Sequence, residues 1–184
     1  AFYNCTSLTG LNLPDDLGTL GSEAFQNCTS LTDVDLSNTK LTAINTSTFQ
    51  DCTSLTGVNL CNGFITSIAS NAFRGCSSLT GFTVCDSLGG CLPQDAFNGS
   101  AVSSLTIPED TFTCVSQYAL RGSLITGVDI QGQTMVNFNN NAFRNSPLIE
   151  IDIPNSVSLW GNDVFRESYS LEKVTIGNGF ETMG

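Results

Sequence analysis

The sequence contains no histidine, and only 6 Lys and Arg stand against 17 Asp and Glu, a formal net charge of -11 over 184 residues. Without histidine there is no mixed Cys/His zinc site and no imidazole base. The shortage of basic side chains argues against nucleic acid and anionic membrane surfaces, both of which are met by clustered Lys and Arg. No apolar run reaches the length of a membrane span, so direct membrane insertion is not expected. No segment carries apolar residues at the 3.6-residue period over a helical length. Also missing are a C-x-x-C pair, a G-x-S-x-G turn, a phosphate-binding loop and a calcium loop. The chain therefore reads as no enzyme, with no cofactor or metal expected. Charged residues make up only 12% of it, which leaves an acidic, otherwise neutral-polar surface.

What the sequence has instead is one unit written repeatedly. In the stretch from Cys52 to Phe73, the pattern C-x-x-L-x-x-V-x-L is followed by a variable turn and then by I-x-x-I-x-x-x-A-F. Aligned on its last residue, the unit recurs at Phe2, Phe25, Phe49, Phe73, Phe97, Leu120, Phe143 and Phe165, a spacing of 22 to 24 residues. Repeats of that length stack into solenoids. Short parallel strands are expected at Leu11/Leu13, Val34/Leu36, Val58/Leu60, Phe82/Val84, Leu105/Ile107, Val128/Ile130, Ile151/Ile153 and Val174/Ile176. The chain reads as one elongated domain over residues 1-184, about seven full repeats with partial ends. Because it opens and closes inside a repeat, it is expected to be a fragment of a longer chain.

Two more apolar columns complete the predicted interior. Leu20, Ile44, Ile68, Leu92, Val115, Phe138 and Trp160 lie five residues before the phenylalanine position. Leu17, Leu41, Ile65, Phe112, Met135 and Val157 lie three residues earlier, with Leu88 expected to substitute beside Gly89. Stacked turns about 4.8 Å apart would merge these columns into a core that no single repeat could bury alone.

The eight cysteines fall into two sets. Cys5, Cys28, Cys52 and Cys76 occupy one column, continued by Ser100, Ser123, Ser146 and Ser168. Replacement by serine points to a small buried position and to unpaired thiols. Cys61 and Cys85 hold one equivalent position on adjacent turns, and Cys91 and Cys114 another, near the Cα separation that a disulfide needs. The expected bridges are Cys61 with Cys85 and Cys91 with Cys114, which imply an oxidising, extracellular or cell-surface location. Of four glycosylation sequons, Asn45 and Asn98 are the better candidates, because those at Asn4 and Asn27 run across the buried cysteine column. Arg74, Arg121, Arg144 and Arg166 read as a solvated stripe, and the Thr9, Thr32, Thr56, Thr80 row as satisfying turn backbone.

The segments NCTSLTDVDL, DCTSLTGVNL and GCSSLTGFTV, each preceded by AF or TF at one offset, resemble the BspA-like, Treponema-type leucine-rich repeat, over essentially the whole chain. The departures are Ser for Cys in the last four turns, Leu120 for Phe, and the composition of the loop from Cys85 to Cys91. The resemblance implies a curved, right-handed repeat solenoid of the leucine-rich type. Its parallel β-sheet would lie on the concave face, with irregular or short helical turns on the convex side. It also implies surface and secreted proteins with roles in adhesion and ligand binding, and it carries over no catalytic residues.

The expected function is an extracellular recognition or adhesion module that binds a protein or glycan through the concave sheet. The alternatives are a structural element of a surface fibre or coat, self-associating through solenoid ends, and, more remotely, ice binding through the Thr rows. The outward residues between strand pairs are the candidate contacts: Asp35, Asn59, Thr83, Thr106, Asp129, Asp152 and Thr175. Gly127, Gln131 and Glu150 join them around the two adjacent aspartates, where a negative field could receive a Lys, an Arg or a cation.

Overall fold

The computed structural model describes residues 2–132 and 134–179. A typical turn of chain runs through two short parallel strands and a tight corner, and no helix occurs among the described residues. One row consists of β1 (Asp33–Asp35), β3 (Gly57–Asn59), β6 (Ser104–Ile107), β8 (Gly127–Ile130), β10 (Glu150–Ile153) and β12 (Lys173–Ile176). The second consists of β2 (Ala43–Ile44), β4 (Ser67–Ile68), β5 (Gly90–Leu92), β7 (Phe112–Val115), β9 (Asn137–Phe138) and β11 (Leu159–Trp160). All pairings are parallel, and equivalent residues of successive turns face each other, as Ile151 faces Val128 and Phe138 faces Val115.

The second row corrects the expected irregular or helical side. Its residues were legible as an inward column, but their outward neighbours Ala43, Ser67, Cys91, Cys114, Asn137 and Leu159 show no alternation from turn to turn that marks a strand. The pairing comes from stacking, which gives each segment a partner one turn away. Two expected strands do not form. Residues around Leu11 and Leu13 have no strand, and Phe82/Val84 contributes only the isolated bridge from Gly57 to Gly81. Phe82 is the only aromatic in a column otherwise filled by Leu, Val and Ile. Its ring is wedged between Phe73 and Phe97, with centroids 5.6 and 4.5 Å away.

The consequence is a junction. Between the turn of β3 and β4 and the turn of Phe82 and β5 the second row breaks and the first keeps only the Gly57–Gly81 bridge, leaving β1 with β3 and β2 with β4 as separate two-stranded sheets. Besides that bridge and the Gly89 N–H bond to Thr66 O at 3.1 Å, the junction is crossed by the corner ladder, in which Asn71, Phe73 and Gly75 donate their N–H groups to Gln94, Ala96 and Asn98 carbonyls at 3.0, 2.9 and 2.8 Å. The disulfide Cys61–Cys85 crosses it as well, and Cys91–Cys114 ties the following pair of turns.

The corner has its own chemistry. Residues two before and two after the phenylalanine position adopt positive φ, among them Asn71 (60°), Gly75 (71°), Asn141 (59°) and Asn145 (56°). Asn and Gly tolerate that region with the least steric penalty. Alternate N–H groups are thereby aimed at the next turn while the ring points inward. Phe2, Phe25, Phe49, Phe73 and Phe97 form one stack with centroids 5.4 to 5.7 Å apart. Leu120 interrupts it, and Phe143 on Phe165 resumes it at 5.4 Å.

Beneath the rings, the thiols of Cys28, Cys52 and Cys76 donate to the carbonyls of Phe2, Phe25 and Phe49 at 3.1, 3.1 and 3.0 Å. Ser168 donates to Phe143 O in the same way at 3.0 Å. The column selects a small donor, which cysteine and serine both supply. Cys5 is unpaired and exposed, and Leu88 is buried in the core as expected.

Candidate functional site

The outward column is spent differently along the chain. At the first row's start, Asp35 accepts the N–H of Ser37 at 2.9 Å and Asn59 accepts the N–H of Cys61 at 3.3 Å. These are side-chain turns that close the strand end. Hydrogen bonding from the Ser37 side chain and backbone holds the Asp35 carboxyl below the usual carboxylate range. Both residues, with Thr83, line a shallow depression of about 560 Å³ over β1 and β3.

Beyond the junction the same column is free of backbone duties. β6, β8 and β10 bring Thr106, Gly127, Asp129, Glu150 and Asp152 around a second open depression of about 590 Å³. Thr106 faces Asp129 across the ladder, and the alignment of Ile151 with Val128 sets Asp152 beside Asp129, about one strand spacing away. Gln131 donates Nε2 to Asp129 Oδ2 at 3.1 Å. Thr175 follows Asp152 in register on β12. The ten expected contact residues therefore fall into an acidic cluster on β6, β8 and β10 and a second set with Asp35 and Asn59, with Thr83 and Thr106 meeting in a shallow depression beside Phe82. That division had a faint signal, an aromatic in an aliphatic column.

Two neighbours escaped the sequence reading. Ile149, exposed at 44%, forms an apolar rim to the acidic depression where the preceding turns carry Thr or Ser. Lys173 stands in register with Glu150 on β12, so the negative field is bounded on one side. No cluster of three or more His, Cys, Asp or Glu able to hold a metal occurs among the described residues, and they include no helix long and apolar enough to cross a membrane.

Most members of the other rows find partners within the molecule. Arg144 makes a two-pronged contact with Glu167, at 3.1 Å through Nε and 3.0 Å through Nη2. That bond depresses the Glu167 carboxyl. Arg166 pairs with Asp163 and Glu167 at 3.3 and 3.5 Å, and Arg121 lies 5.2 Å over the Tyr118 ring. The hydroxyls of Thr32, Thr56 and Thr126 donate to carbonyls of Thr9, Thr32 and Ser103 one turn back, at 3.3, 3.1 and 3.1 Å. Such bonds explain the Thr rows without an ordered-water template. The sequon amide Asn45 Nδ2 donates to Leu20 O and Asn98 Nδ2 to Asp95 Oδ1 at 2.7 Å, so a glycan at either would have to share those bonds.

Comparison with solved structures supports the architecture. A leucine-rich cell surface protein from Faecalibacterium prausnitzii A2-165 superposes with a TM-score of 0.70 at 25% identity, over 86% of this chain and 42% of its own. A leucine-rich repeat protein from Bacteroides ovatus ATCC 8483 gives 0.57 at 16% identity, over 92% of this chain and 63% of its own, which bears on the fold alone. This chain thus spans less than two thirds of either relative. No curated protein matches it. The BspA type leucine-rich repeat model matches in six copies over residues 1–91 and 90–184. With both matched segments together covering residues 1–184, the chain belongs to the BspA-type leucine-rich repeat family.

Proposed function

We propose that the chain is part of a cell-surface recognition or adhesion module, whose outward β6–β8–β10 face docks a protein or glycan partner. The observation that carries this reading is the pair Asp129 and Asp152, side by side in an open depression, with Glu150 next to them and no backbone group to serve. Two like charges at that spacing repel, and an arriving Lys or Arg relieves the repulsion while using the same field to orient itself. Gly127 leaves main chain accessible between them, and Ile149 supplies an apolar rim. The family, the cell-surface relative and the two cross-turn disulfides support an extracellular placement. Parallel protein and glycan arrays probed with the native chain and with Asp129→Asn/Asp152→Asn test it. Specific capture that the double variant loses is expected. Equal capture by both forms, or concentration-dependent filaments with no captured ligand, would favour a purely structural role.

A further inference from the structure

We infer that a second groove, on the side of the β4, β5, β7 and β9 row next to the corner, is a binding site for neutral carbohydrate. It goes beyond the acidic sheet depression and is independent of it. The groove has a volume of about 460 Å³ and is lined chiefly by Gln94, Gln117, Asn139, Asn140, Ser70 and Ser116. The remaining wall is Pro93 and Cys91, the latter held in its disulfide to Cys114.

The chemistry of the lining selects the ligand. None of these side chains carries a formal charge, so a phosphate, carboxylate or ammonium group would lose its hydration without gaining a counter-charge. Each carboxamide offers one acceptor oxygen and two donor hydrogens, and each serine hydroxyl does both. Adjacent sugar hydroxyls also donate and accept, so a grid of amides and hydroxyls matches them group for group. Pro93 gives the apolar surface on which the C–H side of a sugar ring can rest.

The placement is periodic. Ser70, Gln94, Gln117 and Asn140 stand three residues before Phe73, Phe97, Leu120 and Phe143, and Ser116 and Asn139 stand one residue earlier in their turns. One polar column therefore rises over four turns, at about 4.8 Å per step, and a second, Ala69 and Pro93 in its earlier turns, is polar at Ser116 and Asn139. The backbone beneath them is fixed from turn to turn: Gln94, Gln117 and Asn140 accept the N–H groups of Asn71, Asp95 and Tyr118 at 3.0, 3.3 and 3.3 Å. A grid held in place before the ligand arrives loses little entropy on binding.

A stack of amides has a competing purpose, since Gln and Asn ladders can bond from turn to turn and simply stabilise a solenoid. That is not their arrangement here. Gln94 Nε2 turns aside to Asp95 Oδ2 at 3.2 Å, and Asn140 Oδ1 accepts the backbone N–H of Asn162 at 2.8 Å. No hydrogen bond joins Gln94 to Gln117 or Gln117 to Asn140 among the described residues. The amides of Gln117 and Asn139, on adjacent turns of the groove wall, make no side-chain hydrogen bond among the described residues and are left for solvent or ligand.

Native gel electrophoresis through gels containing a neutral β-glucan, a galactomannan or starch, with anionic pectin as control, tests the inference. At least one neutral polymer is expected to retard the native chain. Gln117→Ala/Asn139→Ala should weaken that retardation at least about tenfold, the scale of losing two hydrogen bonds. Asp129→Asn/Asp152→Asn should leave it unchanged, which separates this groove from the sheet face. Side-chain amide resonances of Gln117 and Asn139 in the native chain should shift on adding a short oligosaccharide of the retarding polymer, a readout that needs no variant. Retardation by pectin only, by no polymer, or equally for native chain and amide variant would overturn the assignment, as would unmoved amide resonances.

Discussion

Cys76 donates its thiol proton to the carbonyl oxygen of Phe49, one turn back, at 3.0 Å. Phe49 in turn stacks on Phe73 with centroids 5.7 Å apart, so the bond ties the thiol column to the ring stack. Burial pushes the Cys52 thiol up from its ordinary 9.0 to about 12, and raises those of Cys28 and Cys76 as well. Thiolate is the reactive form. Iodoacetamide at pH 8 should therefore label Cys5 rapidly in the native protein and leave Cys52 and Cys76 unlabelled until denaturant is added.

The same shift sets a pH dependence. Above 9.0 the unfolded chain releases thiol protons that the folded chain keeps, so stability falls as pH rises. For Cys52 the loss should run between 9.0 and about 12, the folded value. Cys76→Ala should cost about 0.5–1.5 kcal/mol by removing one of two donors to the Phe49 carbonyl, which keeps the Cys52 N–H at 3.2 Å, whereas Cys76→Ser retains a second donor and should cost less. Urea titrations of the two variants side by side check the order.

The junction between the turn of β3 and β4 and the turn of Phe82 gives the disulfides unequal duties. Cys61–Cys85 crosses it with a Cα separation of 5.5 Å where the strand rows are joined only by the Gly57–Gly81 bridge and the Gly89 N–H bond to Thr66 O, while Cys91–Cys114 reinforces β5 and β7, which are already paired. Each closes a segment of 24 or 23 residues, for which loop entropy predicts about 3 kcal/mol. Cys61→Ser/Cys85→Ser should therefore raise amide hydrogen exchange across residues 80–90 far more than Cys91→Ser/Cys114→Ser does. Equal effects would show that the junction is held by the corner alone.

Gly75 and Gly99 test the corner. Both have positive φ, 71° and 69°, and replacing either by alanine should cost about 1 kcal/mol in backbone strain. A Cβ at Gly75 would also run into the carboxylate of Asp51, one turn back, whereas one at Gly99 meets open space. Gly75→Ala should thus lower the denaturation midpoint clearly more than Gly99→Ala, and Asp51→Ala should rescue part of the difference.

The fold was legible because stacking repeats each inward residue seven or eight times, so Val34, Val58, Leu105, Val128 and Ile151 identify one another. The cysteine pairs were legible for the same reason, since Cys61 and Cys85 occupy one position on adjacent turns. What the column arithmetic could not show was a local failure of register. Phe82 fits an apolar column by type, and only its ring's volume against Phe73 and Phe97 disrupts the strand. The second strand row was hidden because β2, β4, β9 and β11 are two residues long, shorter than any alternation. Gln117 and Asn139 stood out in no motif. Their environment becomes visible only when three turns are set side by side.

Asp129 and Asp152 supply the last test, because their placement predicts opposite effects on stability and binding. Exposed carboxylates one strand spacing apart repel, which destabilises a sheet by a few tenths of a kcal/mol in a directly opposed pair. Asp129→Asn/Asp152→Asn should therefore leave the protein equally or slightly more stable at low salt. The difference should vanish near 1 M salt, where the screening length is about 3 Å. A structural role for either carboxylate would give a loss instead. Gln131 does bond to Asp129, but asparagine keeps an acceptor oxygen for it. Binding should move the other way: an oligolysine peptide, used as a probe of the field, should bind the native chain more tightly than the variant at low salt, and equally at high salt. Calorimetric titrations at two salt concentrations, paired with thermal melts of the same samples, measure both. A variant that loses stability, or a probe that binds both forms alike in dilute buffer, would remove this face as the docking site.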